Sequence, residues 1–309
     1  MSARERLGLY PPLEPYRQQH LKVDTEHEIF FEECGNPRGK PVVIVHGGPG
    51  GGCNASMRRY HDATRYRIVL FDQRGCGRSA AARQPESGIP LGIWSPTWSG
   101  CAAISISTRW QLFGGSWGST LALAYAQTHA ERVSELVLRG IFLLRREELA
   151  WFYQDGCSWL FPEAFERIPQ AHPARRAGRH DRRLPPASHP SRSRGAAGRR
   201  AGMVGVGGQH PVPGAGPERI KLFGADNYAI AFARIECHYF VNRGFFRRDD
   251  QLLADVGVIR HLPCTIVHGR YDVVTPVKNA WDLSRTWPEA DLRIVADAGH
   301  ATDRAGRNP

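Results

Sequence analysis

The 309-residue chain has no uninterrupted apolar run approaching the roughly 20 residues that a bilayer-spanning helix requires. Its opening text, MSARERLGLYPPLEPY, lacks the apolar stretch of a signal peptide, so no secretory leader is expected. Cysteine is sparse and scattered, at Cys34, Cys53, Cys76, Cys101, Cys157, Cys237 and Cys264, an odd number without CxxC or CxH spacing. That excludes a disulfide framework and argues against a zinc cluster; reduced thiols in a cytoplasmic protein are expected. No internal repeat is evident. What is present suffices for a core: 41% hydrophobic and 10% aromatic residues exclude wholesale disorder. The length suits one large α/β domain with an insertion.

The formal charge of +11 suggests nucleic acid until it is located. Between Ile168 and Arg219 there are ten Arg and two acids, so this stretch carries +8 of the +11. The same stretch has eight Pro, nine Gly, no Lys and no aromatic residue. It has neither the periodicity of a helix or strand nor the apolar area that offsets backbone ordering, and reads as a disordered or aberrant insertion. A nucleic-acid site interleaves aromatics or presents a basic helix face, so no specific nucleic-acid partner is expected, and no membrane. A second window, Ala80 to Thr108, is rich in Gly, Pro and Ser without amphipathic pattern.

The remaining text alternates strands and helices. His20 to Glu33 alternates as a strand pair. Pro41–His46, Arg67–Phe71, Trp110–Gly114, Val133–Leu138, Pro263–His268 and Leu292–Ala296 are short apolar strand runs. Thr120–Gln127, Arg146–Tyr153 and Asp226–Asn242 read as helices. Buried runs separated by helices predict an α/β fold, a mostly parallel sheet covered on both faces.

Gly114-Gly115-Ser116-Trp117-Gly118 matches the GxSxG nucleophile elbow. The five residues alone are a weak signal; a strand entering and a helix leaving make it a strong one. A Ser hydroxyl needs a His to take its proton and an acid to orient that His, in the chain order Ser, acid, His. Asp272 follows the penultimate strand in His268-Gly269-Arg270-Tyr271-Asp272, and His300 follows the last. Both lie at the carboxyl edge of the sheet, where catalysis in open α/β sheets gathers. His46-Gly47-Gly48-Pro49-Gly50-Gly51-Gly52 lets backbone amides approach a substrate. With the Trp117 N–H, the Gly47 and Gly48 amides are oxyanion-hole candidates. GxxxxGK[ST] is absent, and no GxGxxG is followed by an acid at nucleotide-binding spacing, so no nucleotide cofactor is expected.

With these motifs in view the chain resembles the proline iminopeptidases of the α/β-hydrolase fold. The carriers are HGGPGGG at 46–52, FDQRGCGRS at 71–79, FGGSWGSTLALAYAQTH at 113–129 and ELVLRGIFLLRR at 135–146. Downstream are FARIECHYFVNRGFF at 232–246, IVHGRYDVVTP at 266–276 and AGH at 298–300. Together the match spans about two thirds of the chain. The resemblance implies a central sheet with a helical cap: hydrolase core at 1–140 and 251–309, cap insertion at 141–250. It implies a serine aminopeptidase that takes peptides with N-terminal proline through an acyl-enzyme on Ser116, with His300 as base, Asp272 as its orienting acid, and no metal or other cofactor. It also implies that Glu236 binds the substrate's imino group, with Arg139 ordering the carboxylates there. A carboxylate on an apolar helix suits a protonated amine independently.

Three stretches depart from the family pattern: the two windows above and the text after His300, ATDRAGRNP, which lacks the usual terminal helix. Because specificity resides in the cap, another esterase or amidase remains open, as does an inactive relic whose basic segment binds polyanions nonspecifically. Their Arg, Ala, Gly and Pro bias fits out-of-frame translation of a GC-rich gene. Resequencing the coding DNA is expected to reveal compensating insertions or deletions at their edges; an unaltered read overturns that explanation.

Overall fold

The computed structural model describes residues 8–25, 27–81, 109–163 and 226–301. The readings made on 82–108, 168–219 and 302–309 lie outside the described residues. Among those described, nine strands form one sheet: β1 (Arg17–Lys22), β2 (His27–Gly35), β3 (Lys40–Val45), β4 (Tyr66–Phe71), β5 (Ala80–Ala81), β6 (Trp110–Gly115), β7 (Val133–Arg139), β8 (Cys264–Gly269) and β9 (Asp291–Val295). Their order is β1-β2-β4-β3-β6-β7-β8-β9, with β5 paired to β2. β1, β2 and β5 pair antiparallel, and β2 also runs antiparallel to β4. From β4 to β9 every pairing is parallel.

The β-branched runs explain both faces of this sheet. Along β3 and β4, Val43, Val45, Val69 and Phe71 enter one apolar cluster while Val42, Ile44, Ile68 and Leu70 enter another. That is the strand period of two, with both faces buried. The larger cluster takes in helix α1 (Trp117–Thr128), where nine of the twelve residues are buried. Its Leu- and Ala-rich text favours helix and lets it lie deep.

Between β7 and β8 the chain inserts α2 (Arg146–Ala150), a π-helical turn (Trp151–Asp155), α3 (Cys157–Leu160), α4 (Asp226–Val241) and α5 (Gln251–Ala254). The helix read over Arg146–Tyr153 thus changes type at Trp151. Another difference is at Ala80 and Ala81, which pair with Glu28 and His27 instead of opening a structureless window. Two short alanines carry no alternation, so nothing in the text marks that pairing. The base of the insertion is moored by buried Glu148, whose carboxylate accepts from Leu143 N and Asn279 Nδ2 at 2.9 Å each and from Arg145 Nε at 2.7 Å. Asn279 lies on α6 (Val277–Thr286), which joins β8 to β9. Among the described residues no helix is long and apolar enough to cross a membrane.

His61 packs edge-on against Tyr66 and Phe113, with ring centroids 4.9 and 5.4 Å away. Burial pushes its pKa down to about 4, against the neighbouring Gln111 side chain and Glu135 charge, which favour the protonated ring. The unfolded chain therefore binds a proton here that the folded chain refuses. Stability measured by urea unfolding is expected to fall as pH drops from 6.5 towards 4. His61→Leu should make that decline shallower; an unchanged slope would contradict the burial argument.

Candidate active site

The carboxyl ends of β3, β6, β7, β8 and β9 carry every catalytic and oxyanion candidate. β6 runs into Ser116, whose backbone sits at φ 57° and ψ −127°, a rare conformation for a residue with a side chain. Two glycines make the turn possible. A Cβ on Gly114 would collide with the Gly118 carbonyl, and one on Gly118 with the Val45 carbonyl. So β6, α1 and β3 approach more closely than any larger residue permits. The turn is further fixed by Ser116 N donating to Arg139 O at 3.1 Å and by the Ser119 hydroxyl donating to Ser116 O at 2.7 Å. Phe142 N donates back to that hydroxyl at 3.1 Å, and Thr120 Oγ1 donates to Phe142 O at 2.6 Å.

Gly47 borders the Ser116 side chain: a Cβ built on it would stand 3.3 Å from Ser116 Cβ and 3.9 Å from Oγ. The loop after β3 is held from behind. Gln73 N donates to His46 Nε2 at 3.0 Å, so the His46 proton resides on Nδ1, which donates to Gly47 O at 2.8 Å. Burial lowers the His46 pKa despite that Gly47 bond and nearby Asp72, and the ring is neutral. Gln73 Nε2 donates to His46 O at 2.8 Å, and its Oε1 accepts from Trp117 Nε1 at 3.1 Å. One amide thereby joins the glycine loop to the residue after Ser116. At the far end of the loop, Asp72 accepts from Cys53 N at 2.6 Å and from Arg78 N at 2.8 Å.

Asp272 is buried in the turn after β8. Its Oδ1 accepts from Val274 N and Thr275 N at 3.0 and 2.9 Å. Its Oδ2 accepts from Thr275 Oγ1 at 3.1 Å and from His300 Nδ1 at 2.8 Å. Burial alone raises a carboxyl's pKa, but here the attraction and hydrogen bond of His300, with the Thr275 amide, outweigh it and hold Asp272 below the ordinary range. The acid is an anion, and the His300 Nδ1 it engages leaves Nε2 for the reacting group. Gly140, after β7, faces this pair; a Cβ there would sit 3.2 Å from His300 Cε1 and 3.6 Å from Asp272 Oδ2.

Helix α4 crosses above the loops. A Cβ on Gly50 would come 3.0 Å from Phe232 Cα, and one on Gly75 would come 3.6 Å from Ile235 Cδ1. Tyr239 and Phe240 reach the Trp117 ring at 4.9 and 6.3 Å between centroids. Glu236 shares the helix with these contacts and is 6% exposed. Arg139 lies beneath the elbow: its Nη1 donates to the His300 carbonyl at 2.7 Å, and its guanidinium carbon lies 2.9 Å from where a Gly115 Cβ would be. Ser119, Thr120, Gln73 and His268 support the site although no sequence motif assigns them a role. The signal for each was its place inside one of the quoted motifs, Gln73 at 71–79, Ser119 and Thr120 at 113–129 and His268 at 266–276.

Comparison with known proteins agrees with this geometry. The alpha/beta hydrolase fold family matches residues 40–302. A proline iminopeptidase of Xylella fastidiosa (strain Temecula1 / ATCC 700964) is 51% identical over 299 residues, spanning 95% of this chain and 93% of its own. The chain belongs to the proline iminopeptidase family. A second member, from Xanthomonas citri, is 50% identical over 303 residues, with 95% and 93% covered. A solved esterase from Rhodococcus sp. ECU1013 superposes with TM-score 0.55 at 20% identity, over 92% of each chain, a likeness of fold alone.

Asp272→Asn keeps the shape of the side chain but supplies a donor where His300 Nδ1–H needs an acceptor. If the pair orients the base, kcat should fall about 10³- to 10⁴-fold, with folding retained by circular dichroism. A loss below tenfold would remove Asp272 from the mechanism.

Proposed function

We propose that the chain is a serine aminopeptidase releasing N-terminal proline from peptides. The observation that carries this is the Asp272–His300 bond at 2.8 Å on the same sheet edge as the left-handed Ser116. Its family membership supplies the substrate class. His300 Nε2 takes the proton of Ser116 Oγ as the oxygen attacks the prolyl carbonyl. Charge on the carbonyl oxygen is received by the amides of Gly47, Gly48 and Trp117, with the N-terminus of α1 behind them. His300 then protonates the leaving amine, leaving proline esterified to Ser116. Water, deprotonated by the same imidazole, releases it.

Selectivity for a free N-terminus is assigned to Glu236, whose carboxylate lies in the helix that packs on both glycine loops. A buried acid facing a protonated secondary amine forms a charge-assisted pair that an internal peptide bond cannot replace. Arg139 is assigned to ordering this end of the site. The division into a core at 1–140 and 251–309 with a cap at 141–250 belongs to the same reading, supported by the helices inserted between β7 and β8. A cytoplasmic setting is supported by six free thiols among the described residues.

Hydrolysis of a chromogenic prolyl amide, abolished by Ser116→Ala, is the expected result. Glu236→Gln should lower kcat/KM for that amide about 10- to 100-fold while leaving hydrolysis of a simple p-nitrophenyl ester nearly intact. Ester turnover without prolyl release would favour a general esterase instead. An unfolded circular-dichroism spectrum would indicate an inactive relic.

A further inference from the structure

His268 opens the segment that leads to Asp272, and its buried ring touches both sides of the site. Ile141 N donates to its Nδ1 at 3.0 Å, so Nδ1 is the acceptor and the ring proton sits on Nε2. That Nε2 lies 2.7 Å from Thr275 O and 3.4 Å from Asp272 Oδ2. The ring proton is therefore donated to the Thr275 carbonyl, with the same carboxylate oxygen that His300 engages lying beside the ring nitrogen. Ile141 follows Gly140, which faces His300, and its carbonyl accepts from Asn279 Nδ2 at 3.2 Å. One neutral ring thus ties the turn of the acid to the backbone after β7.

We infer that His268 is a positioning residue: its Nε2–H holds the Thr275 carbonyl, fixing the turn whose Thr275 amide and hydroxyl grip the Asp272 carboxylate, and so sets how firmly the Asp272–His300 pair holds its proton. The inference rests on the serine-hydrolase reading of that pair. Burial lowers the His268 pKa, although Asp272 and the Thr275 carbonyl favour the charged ring; His300 and Arg139 oppose it. These are the charged groups facing it among the described residues. Asp272 is faced by His300, His268 and the Cys157 thiol. His268 therefore stays neutral and never carries the catalytic proton.

Removing the donor loosens the Thr275 amide and hydroxyl that Asp272 accepts from, leaving Asp272 a stronger base, which holds the His300 proton more tightly. The pair then releases that proton at higher pH, and the acid limb of kcat/KM moves up. Two substitutions separate the functions of the ring. His268→Asn places an oxygen near Nδ1 and keeps the Ile141 bond but loses the donor. His268→Gln places an amide donor near Nε2 and loses the acceptor.

The limb is read with a p-nitrophenyl ester, which needs Ser116 and the pair but no proline recognition, so failure of the prolyl assay and failure of this inference are separable. His268→Asn is expected to shift the limb upward by about half a pH unit or more, with His268→Gln near the unsubstituted enzyme. Equal limbs in the unsubstituted enzyme and the Asn variant, or equal shifts in both variants, would overturn it. Nitrogen-15 NMR of the unsubstituted protein, assigned against His268→Gln, gives an independent reading. A neutral Nε2–H tautomer at and above neutral pH supports the inference, and a His268 that titrates with activity sinks it.

Discussion

The left-handed backbone of Ser116 is the constraint on which the site is built. It exists because Gly114 and Gly118 allow β6, α1 and β3 to meet at distances that any Cβ forbids. Once that turn is in place, the rest of the edge is laid out from it. Gly47 lies against the Ser116 side chain, Arg139 O takes its amide proton, and the Ser119 hydroxyl ties its carbonyl to the chain after β7. Strain at one residue persists because several independent bonds determine its position.

Around that turn the buried polar groups take opposite charge states. Asp272 is held as an anion by donors converging on both its oxygens. His46 and His268 are kept neutral by burial, each with one ring nitrogen accepting a backbone N–H. In a region of low dielectric such fixed dipoles act strongly and need no reorganisation when charge moves. The neutral rings are braces, while His300 meets the Asp272 anion through one hydrogen bond.

Much of this architecture is legible in the text because buried parallel strands are written as short β-branched runs. Val42 to Val45 and Ile68 to Phe71 announce themselves in that way. Chain order and strand ends single out Ser116, Asp272 and His300 in the text, and Asp272 and His300 meet in the structure. Gln73, Ser119 and His268 are not legible in this way, since a single polar residue in a buried place leaves no period to detect. In helix α6 the buried face holds a polar residue: Asn279 is buried for its hydrogen bonds beside Ala280 and Leu283. Arg139 illustrates another limit, because motif position does not tell which carbonyl a guanidinium meets, and here it meets that of His300.

The inserted segment reaches the acid through one carbonyl. Val273 O accepts from Trp151 Nε1 at 2.9 Å and from the Cys157 thiol at 3.0 Å. Val273 directly follows Asp272, and the next amide, Val274 N, is already bound to the Asp272 carboxylate. The first turns of the insertion and the turn that aims the acid are therefore one mechanical piece. A displacement of those turns is passed directly to the two peptide units that hold the Asp272 carboxylate against His300.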